Sequence, residues 1–198
     1  MKKTNNFNPI VDFLFEVGIL SKTPRSGFYF LGSGEQSVSE HTCRVVYIGY
    51  VLAALEKKVD NAKVMKMCLF HDLAEARTSD LNYVHQKYTQ VNDNKATQDL
   101  TTTMEFGHEI SEILKEYTDR RTKEARLAKD ADQLEWILSL KEQMDIGNAR
   151  AKTWLPSAIK RLKTGNARQI AERVTITDSD HWWFADKDDD WWVTKNKK

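Results

Sequence analysis

The sequence predicts an all-α fold, and three observations carry that prediction. The 198 residues include only 8 Gly and 3 Pro, too few chain breakers for a many-stranded sheet and its turns. Apolar residues recur at three- and four-residue spacing along most of the chain, the period of a helix with one buried face. A capping box, Ser37-Val38-Ser39-Glu40, stands where one such repeat begins and marks a helix start.

The elements follow in order. Residues 9–20 read as a short helix with Pro9 in the first turn and Ile10, Phe13, Leu14 and Val17 facing inward. Residues 21–36 read as a loop. Its Gly32-Ser33-Gly34 lacks the Lys-Ser/Thr of a phosphate-cradling glycine loop. The capping box opens a helix to about Lys57, with Val38, His41, Val45, Ile48, Leu52 and Leu55 on one stripe. Asp60-Asn61 starts the next helix, ending near Ala76, with Val64, Cys68, His71/Asp72 and Glu75 inward. Residues 77–95 are polar and irregular, with a short helix inside. Further helices are expected over 97–117, 122–146, 151–163 and 166–176.

Residues 1–177 are expected to form one domain. A tail, 178–198, carries six Asp between Asp178 and Asp190, and four of the six tryptophans (Trp182, Trp183, Trp191 and Trp192). Such aromatics are expected to pack on the domain or on a partner subunit.

Composition excludes several classes. With 40% hydrophobic and 30% charged residues, the chain is neither collagenous, nor a coiled-coil array, nor disordered. Lys and Arg number 30 against 29 Asp and Glu, for a net charge of +1. A protein held by phosphate-backbone attraction is usually more basic, so no nucleic-acid partner is expected. The apolar stretch from Ile10 to Leu20 is broken by Asp12 and Glu16, unlike a secretory leader. With no 18-residue apolar run, no membrane span is expected. Cys43 and Cys68 read as buried free thiols of a cytoplasmic protein.

Three acceptor-rich spots fall on inward faces of different helices: His41, the pair His71-Asp72, and an Asp of Lys129-Asp130-Ala131-Asp132. Asp72 lies within the apolar run Leu69-Phe70 to Leu73-Ala74. A buried carboxylate there is costly unless it is paired or holds a metal. Two imidazoles with carboxylates suit one divalent transition ion, Mn²⁺, Co²⁺, Zn²⁺, Fe²⁺ or Ni²⁺. Asp130 and Asp132 point about 200° apart on a helix. The small residues Ala125, Ala128 and Ser139 near Asp132 would permit close approach of another element, which favours Asp132. Glu75 projects from the side of His71 and Asp72, and Asp80 follows just beyond. Carboxylates not needed for ligation suit general acid and base work.

The order His41, His71-Asp72, Asp132 resembles the HD-domain superfamily of metal-dependent phosphohydrolases. Pro24-Arg25-Ser26-Gly27, Ser37 to His41, His71 to Leu81 and Lys129 to Glu135 are similar to the branch containing the bacterial 5′-deoxynucleotidases. The resemblance implies an all-α HD-domain bundle with a central metal cleft. It implies that His41, His71, Asp72 and Asp132 ligate one metal ion. Glu75 would hold or activate the attacking water, Asp80 would assist proton transfer, and Arg25 would grip the phosphate of a nucleoside 5′-monophosphate. A homodimer is implied as well. Ser26 stands where that branch carries an aromatic residue, and Phe28 follows two residues on. The competing readings are hydrolysis of another phosphoester, such as a nucleoside triphosphate or a cyclic nucleotide, and a non-catalytic metal-binding scaffold. Glu75 and Asp80 argue against the scaffold, which has no use for them.

Overall fold

A computed structural model describes residues 6–184. Among these the architecture is all-α, as expected, with a single isolated bridge between Pro24 and Ser37. Trp191 and Trp192, with the rest of the tail beyond Phe184, lie outside the described residues.

Helix α1 (Asn8–Val17) carries Pro9 in its first turn and runs on as a 3₁₀ turn, Gly18–Ser21. Ile10, Phe13 and Val17 are half-buried as expected, but Leu14 is 63% exposed. Phe7, Val11, Phe15 and Ile19 are exposed too. Apolar residues occupy both flanks of this short helix, so periodicity alone did not decide which flank packs. The expected loop 21–36 contains a helix, α2 (Gly27–Leu31), which buries Phe28 and Leu31. Five residues are too few to display a period.

Helix α3 (Val38–Ala54) starts on the capping box: Ser37 Oγ accepts from the Glu40 N–H at 3.2 Å, and Glu40 Oε2 accepts from the Ser37 N–H at 2.6 Å. Val38, His41, Val45 and Leu52 are buried, while Leu55, just past the end, is exposed. Helix α4 (Asn61–Phe70) starts on Asp60, whose carboxylate accepts from the Lys63 N–H. The two helices cross at Gly49, where a Cβ would lie 2.5 Å from Cys68 Sγ. Cys68 is buried, but Cys43 is exposed, contrary to expectation. Two residues beyond His41 is about 200° of helix, which carries Cys43 off the buried stripe.

The helix expected to reach Ala76 stops at Phe70. Leu73 N–H to Phe70, Glu75 N–H to Asp72 and Ala76 N–H to Leu73 are i→i−3 bonds, the tighter 3₁₀ winding in which residues three apart eclipse. Helix α5 (Glu75–Thr78) follows this turn. The irregular stretch after it contains a 3₁₀ turn, His85–Lys87. The single helix expected over 97–117 is two, α6 (Asp93–Thr101) and α7 (Gly107–Asp119). They meet so closely that a Cβ on Gly107 would fall 1.8 Å from the Thr101 carbonyl oxygen.

Helix α8 (Lys123–Asp145) spans about 35 Å at 1.5 Å per residue. It packs against α3, α4, α7, α9 (Ala149–Ile159) and α10 (Gly165–Ile176). Leu127, Ala128, Ala131, Leu134, Ile137 and Leu140 are fully buried on it, each Leu or Ile contributing about 1.5–3 kcal/mol. A short helix, α11 (His181–Phe184), ends the described chain. Its Trp182 and Trp183 are 80% and 57% exposed.

Candidate metal centre

Four donors converge from three places in the fold. His41 projects from α3, His71 and Asp72 from the 3₁₀ turn after α4, and Asp132 from α8. His41 Nε2 lies 3.2 Å from His71 Nε2, 3.3 Å from Asp132 Oδ1 and 3.5 Å from Asp72 Oδ2. His71 Nε2 lies 3.1 Å from Asp72 Oδ2. His41, His71 and Asp132 alone form a group able to hold a metal ion, and Asp72 Oδ2 borders the same space. Each ring is fixed from behind: His41 Nδ1 meets Glu135 Oε2 at 2.6 Å, and His71 Nδ1 meets the Cys68 carbonyl at 2.8 Å. With Nδ1 donating, both Nε2 lone pairs face the centre, the arrangement a metal-ligating histidine requires.

The other expected residues surround this cluster. Arg25 Nη1 lies 3.3 Å from Asp72 Oδ2 and 3.6 Å from Asp80 Oδ2. Asp80 also accepts from the Ser26 N–H at 2.9 Å, tying the α2 loop to the site. The 3₁₀ turn sets Glu75 on the side of Asp72, three residues on. Glu75 Oε2 is buried and has no hydrogen-bond partner. Arg25, His71, Asp72, Glu75, Asp80 and Asp132 all line one cavity of about 990 Å³. The structure thus brings together every residue singled out from the sequence.

Comparison with known proteins follows the geometry. Residues 17–174 match the family model described as an HD domain. The chain belongs to the HD-domain family. A Dictyostelium discoideum protein named 5′-deoxynucleotidase HDDC2 is 34% identical over 145 residues, covering 67% of this chain and 76% of that one. The Danio rerio protein of the same name is 28% identical over 193 residues, covering 86% and 96%. A solved structure of a conserved hypothetical protein from Pyrococcus furiosus aligns with a TM-score of 0.74 at 30% identity, covering 84% and 99%.

In this HD-domain chain the electrostatics fit a cation. Burial would raise the Asp72 and Asp132 carboxyls, yet both are held below the usual carboxylate range, Asp72 chiefly by the His71 imidazole and Asp132 chiefly by Lys129. Burial and Arg25 push His41 down, but Asp132, Glu135 and Asp72 outweigh them and lift it to about 9. Burial, then Asp72 and Asp80, push Glu75 up to about 10. Mixed imidazole and carboxylate donors in a negative, buried cluster suit a divalent transition ion.

Glu135, Arg44, Gln36 and Lys129 have a part here and carried no role in the sequence reading. Glu135, one turn beyond Asp132, holds His41. Its Oε1 accepts from Arg44 Nη2 at 2.7 Å and Gln36 Nε2 at 2.7 Å. Burial would raise it, but the His41 hydrogen bond, the His41 charge and Arg44 bring it down to about 2. Lys129 Nζ lies 2.6 Å from Asp132 Oδ2. Asp130 faces away and accepts from the Lys163 N–H at 3.0 Å and the Thr164 N–H at 2.7 Å, closing the start of α10. The i+3 spacing of Glu135 from Asp132 was its one available signal.

Proposed function

We propose that this HD-domain protein removes phosphate from nucleoside 5′-monophosphates with the help of one divalent metal ion. A single observation carries the reading. A buried carboxylate oxygen without a partner, Glu75 Oε2, shares a cavity with the His71, Asp72 and Asp132 donors and with Arg25. A closed structural site has no use for that oxygen. The relatives named 5′-deoxynucleotidase support the choice of a nucleotide.

His41 and His71 offer Nε2 and Asp72 and Asp132 offer oxygens to the ion. When bound, the ion polarises the phosphoryl oxygen and lowers the pKa of coordinated water. Arg25 offers forked N–H donors to the non-bridging phosphate oxygens. With a bound cation offsetting the Asp72 and Asp80 charges that push Glu75 up, Glu75 is free to take the proton of the attacking water as the water oxygen bonds to phosphorus. Asp80 would assist passage of that proton to the nucleoside oxygen as the P–O bond breaks, giving nucleoside and inorganic phosphate.

The test is phosphate release by metal-stripped protein reloaded with each candidate ion, over a panel of nucleoside monophosphates, triphosphates and cyclic nucleotides. Metal-dependent inorganic phosphate from monophosphates is expected. Pyrophosphate from triphosphates, or metal binding without hydrolysis, overturns the reading.

A homodimer belongs to the same proposal. Phe7, Val11, Leu14, Phe15 and Ile19 leave an apolar face on α1 and its 3₁₀ extension. Their i, i+4, i+7, i+8, i+12 spacing suits a helix seam with a second copy.

A further inference from the structure

A second cavity opens from the metal centre. It shares Arg25, Asp80, Asp132 and Gln133 with the first and runs along α8 and α9, with a volume of about 1780 Å³. Small-molecule sites usually enclose roughly 300–1,000 Å³, so the space exceeds what one nucleotide needs.

Its charge is lopsided. Eight Lys and Arg line it against three Asp and Glu, in a chain whose total is +1. Arg25 faces Asp72 and Asp80, Lys123 faces Glu56, and Lys129 faces Asp132. The other five, Arg120, Arg126, Arg150, Arg161 and Lys163, are exposed, and among the described residues none has a carboxylate within 4.0 Å. A nucleoside monophosphate has one phosphate, which Arg25 and the metal ligands would take. It leaves these five cations without an anion.

Two half-buried indoles, Trp136 and Trp154, line the same groove. Phe28 packs edge-on against Trp136 at 5.4 Å between centroids, which fixes the indole in place. A cationic groove interleaved with aromatic faces is the means by which single strands are held without base-edge readout: phosphates meet cations and bases stack. From Lys123 to Trp136 the lining follows about 20 Å of α8, farther than the adjacent phosphates of one triphosphate extend.

We propose that this groove holds the strand of a 5′-phosphorylated single-stranded oligonucleotide whose terminal phosphate enters the metal centre. The inference rests on the phosphohydrolase reading and extends its substrate class. Attack by water at the terminal phosphorus would break the P–O5′ bond and leave a 5′-hydroxyl strand and inorganic phosphate.

The test compares wild type with Arg126→Glu/Arg161→Glu in Mn²⁺, using a 5′-phosphorylated tetranucleotide, a nucleoside 5′-monophosphate and a nucleoside triphosphate over a range of KCl. Both substitutions are at exposed positions, and melting curves check that the variant folds. Wild type should release phosphate from the tetranucleotide, with kcat/KM falling steeply with salt. The variant should lose at least 10-fold in tetranucleotide kcat/KM and change less than 2-fold on the monophosphate. Its salt slope should be shallower by about 1.4, at roughly 0.7 per phosphate contact on a single strand.

If wild type hydrolyses the monophosphate and ignores the tetranucleotide, or the variant treats both alike, the groove proposal is overturned and the phosphohydrolase reading stands. If the triphosphate alone shows the salt slope and the variant effect, the groove reads a polyphosphate and the proposal is likewise overturned. If metal-loaded protein hydrolyses nothing, the underlying reading has failed, and fluorescence anisotropy of the labelled tetranucleotide decides the groove separately. Salt-dependent binding weakened at least 10-fold in the variant then supports it, and no binding overturns it.

Discussion

Glu135 reaches the donor cluster only through His41, and it is itself held by Arg44, Gln36 and Ser139. Glu135→Gln should therefore keep the fold and weaken metal affinity about 10- to 100-fold, as read by metal titration calorimetry with a melting curve as control. Unchanged affinity would make Glu135 a packing residue. Asp72→Ala and Glu75→Ala separate the two groups of carboxylates. The first should lose metal, by elemental analysis, and activity together. The second should keep its metal and lose about 10²- to 10⁴-fold in rate. Loss of metal in Glu75→Ala would show the assignment of roles to be wrong. The donors were legible because apolar neighbours made His41 and Asp72 expensive to bury without a task. The choice between Asp130 and Asp132, which point opposite ways on one helix, rested weakly on the small residues near Asp132 and more on the family resemblance. Glu135 stayed hidden because a hydrogen bond to a ring nitrogen 94 residues away leaves no periodic trace.

At the scale of elements, α8 was legible almost to the residue and α3 at its start, which the Ser37 capping box marks, although α3 ends at Ala54 and not near Lys57. Ser37→Ala should cost about 1 kcal/mol, measured by urea unfolding. Glu40 adds a pH dependence. The Ser37 N–H, then its hydroxyl, hold the folded Glu40 carboxyl below its usual value. Its contribution is thus complete above the unfolded pKa of about 4.3 and is lost as pH falls through the lower folded value. The stability gap between wild type and Glu40→Gln should be present at pH 7 and close below about pH 4; a constant gap would show that ionisation plays no part. The elements that escaped were those set by close tertiary contact. Helix α2 is too short for a period. The break between α6 and α7 follows from the approach of Gly107 to Thr101. The early end of α4 reflects a switch to i→i−3 bonding, which hydropathy does not register.

For the whole molecule, net charge does not report how charge is distributed. A total of +1 accompanies a groove in which, among the described residues, five cations have no carboxylate within 4.0 Å, because acidic and basic side chains segregate in space and not along the chain. Assembly is likewise a property of surface and not of composition. The dimer proposal now rests on α1, where Leu14 and Phe15 are 63% and 76% exposed. Leu14→Asp/Phe15→Asp should halve the mass in light scattering while metal content is retained. Removal of residues 178–198 should leave the mass unchanged if α1 makes the seam. A truncated chain that runs as a monomer would return the interface to the tail.

The centre is assembled from halves of unequal firmness. Asp132 and Glu135 ride on α8, buried on nearly every side, whereas His71 to Asp80 hang on a 3₁₀ turn and a four-residue helix. In deuterium oxide, α8 amides near Asp132 should exchange only when the whole protein unfolds. Amides of 75–80 should exchange orders of magnitude sooner through local opening. An ion bridging the halves would slow the second group and leave the first untouched, so isotope uptake would report on loading of the site without any substrate present.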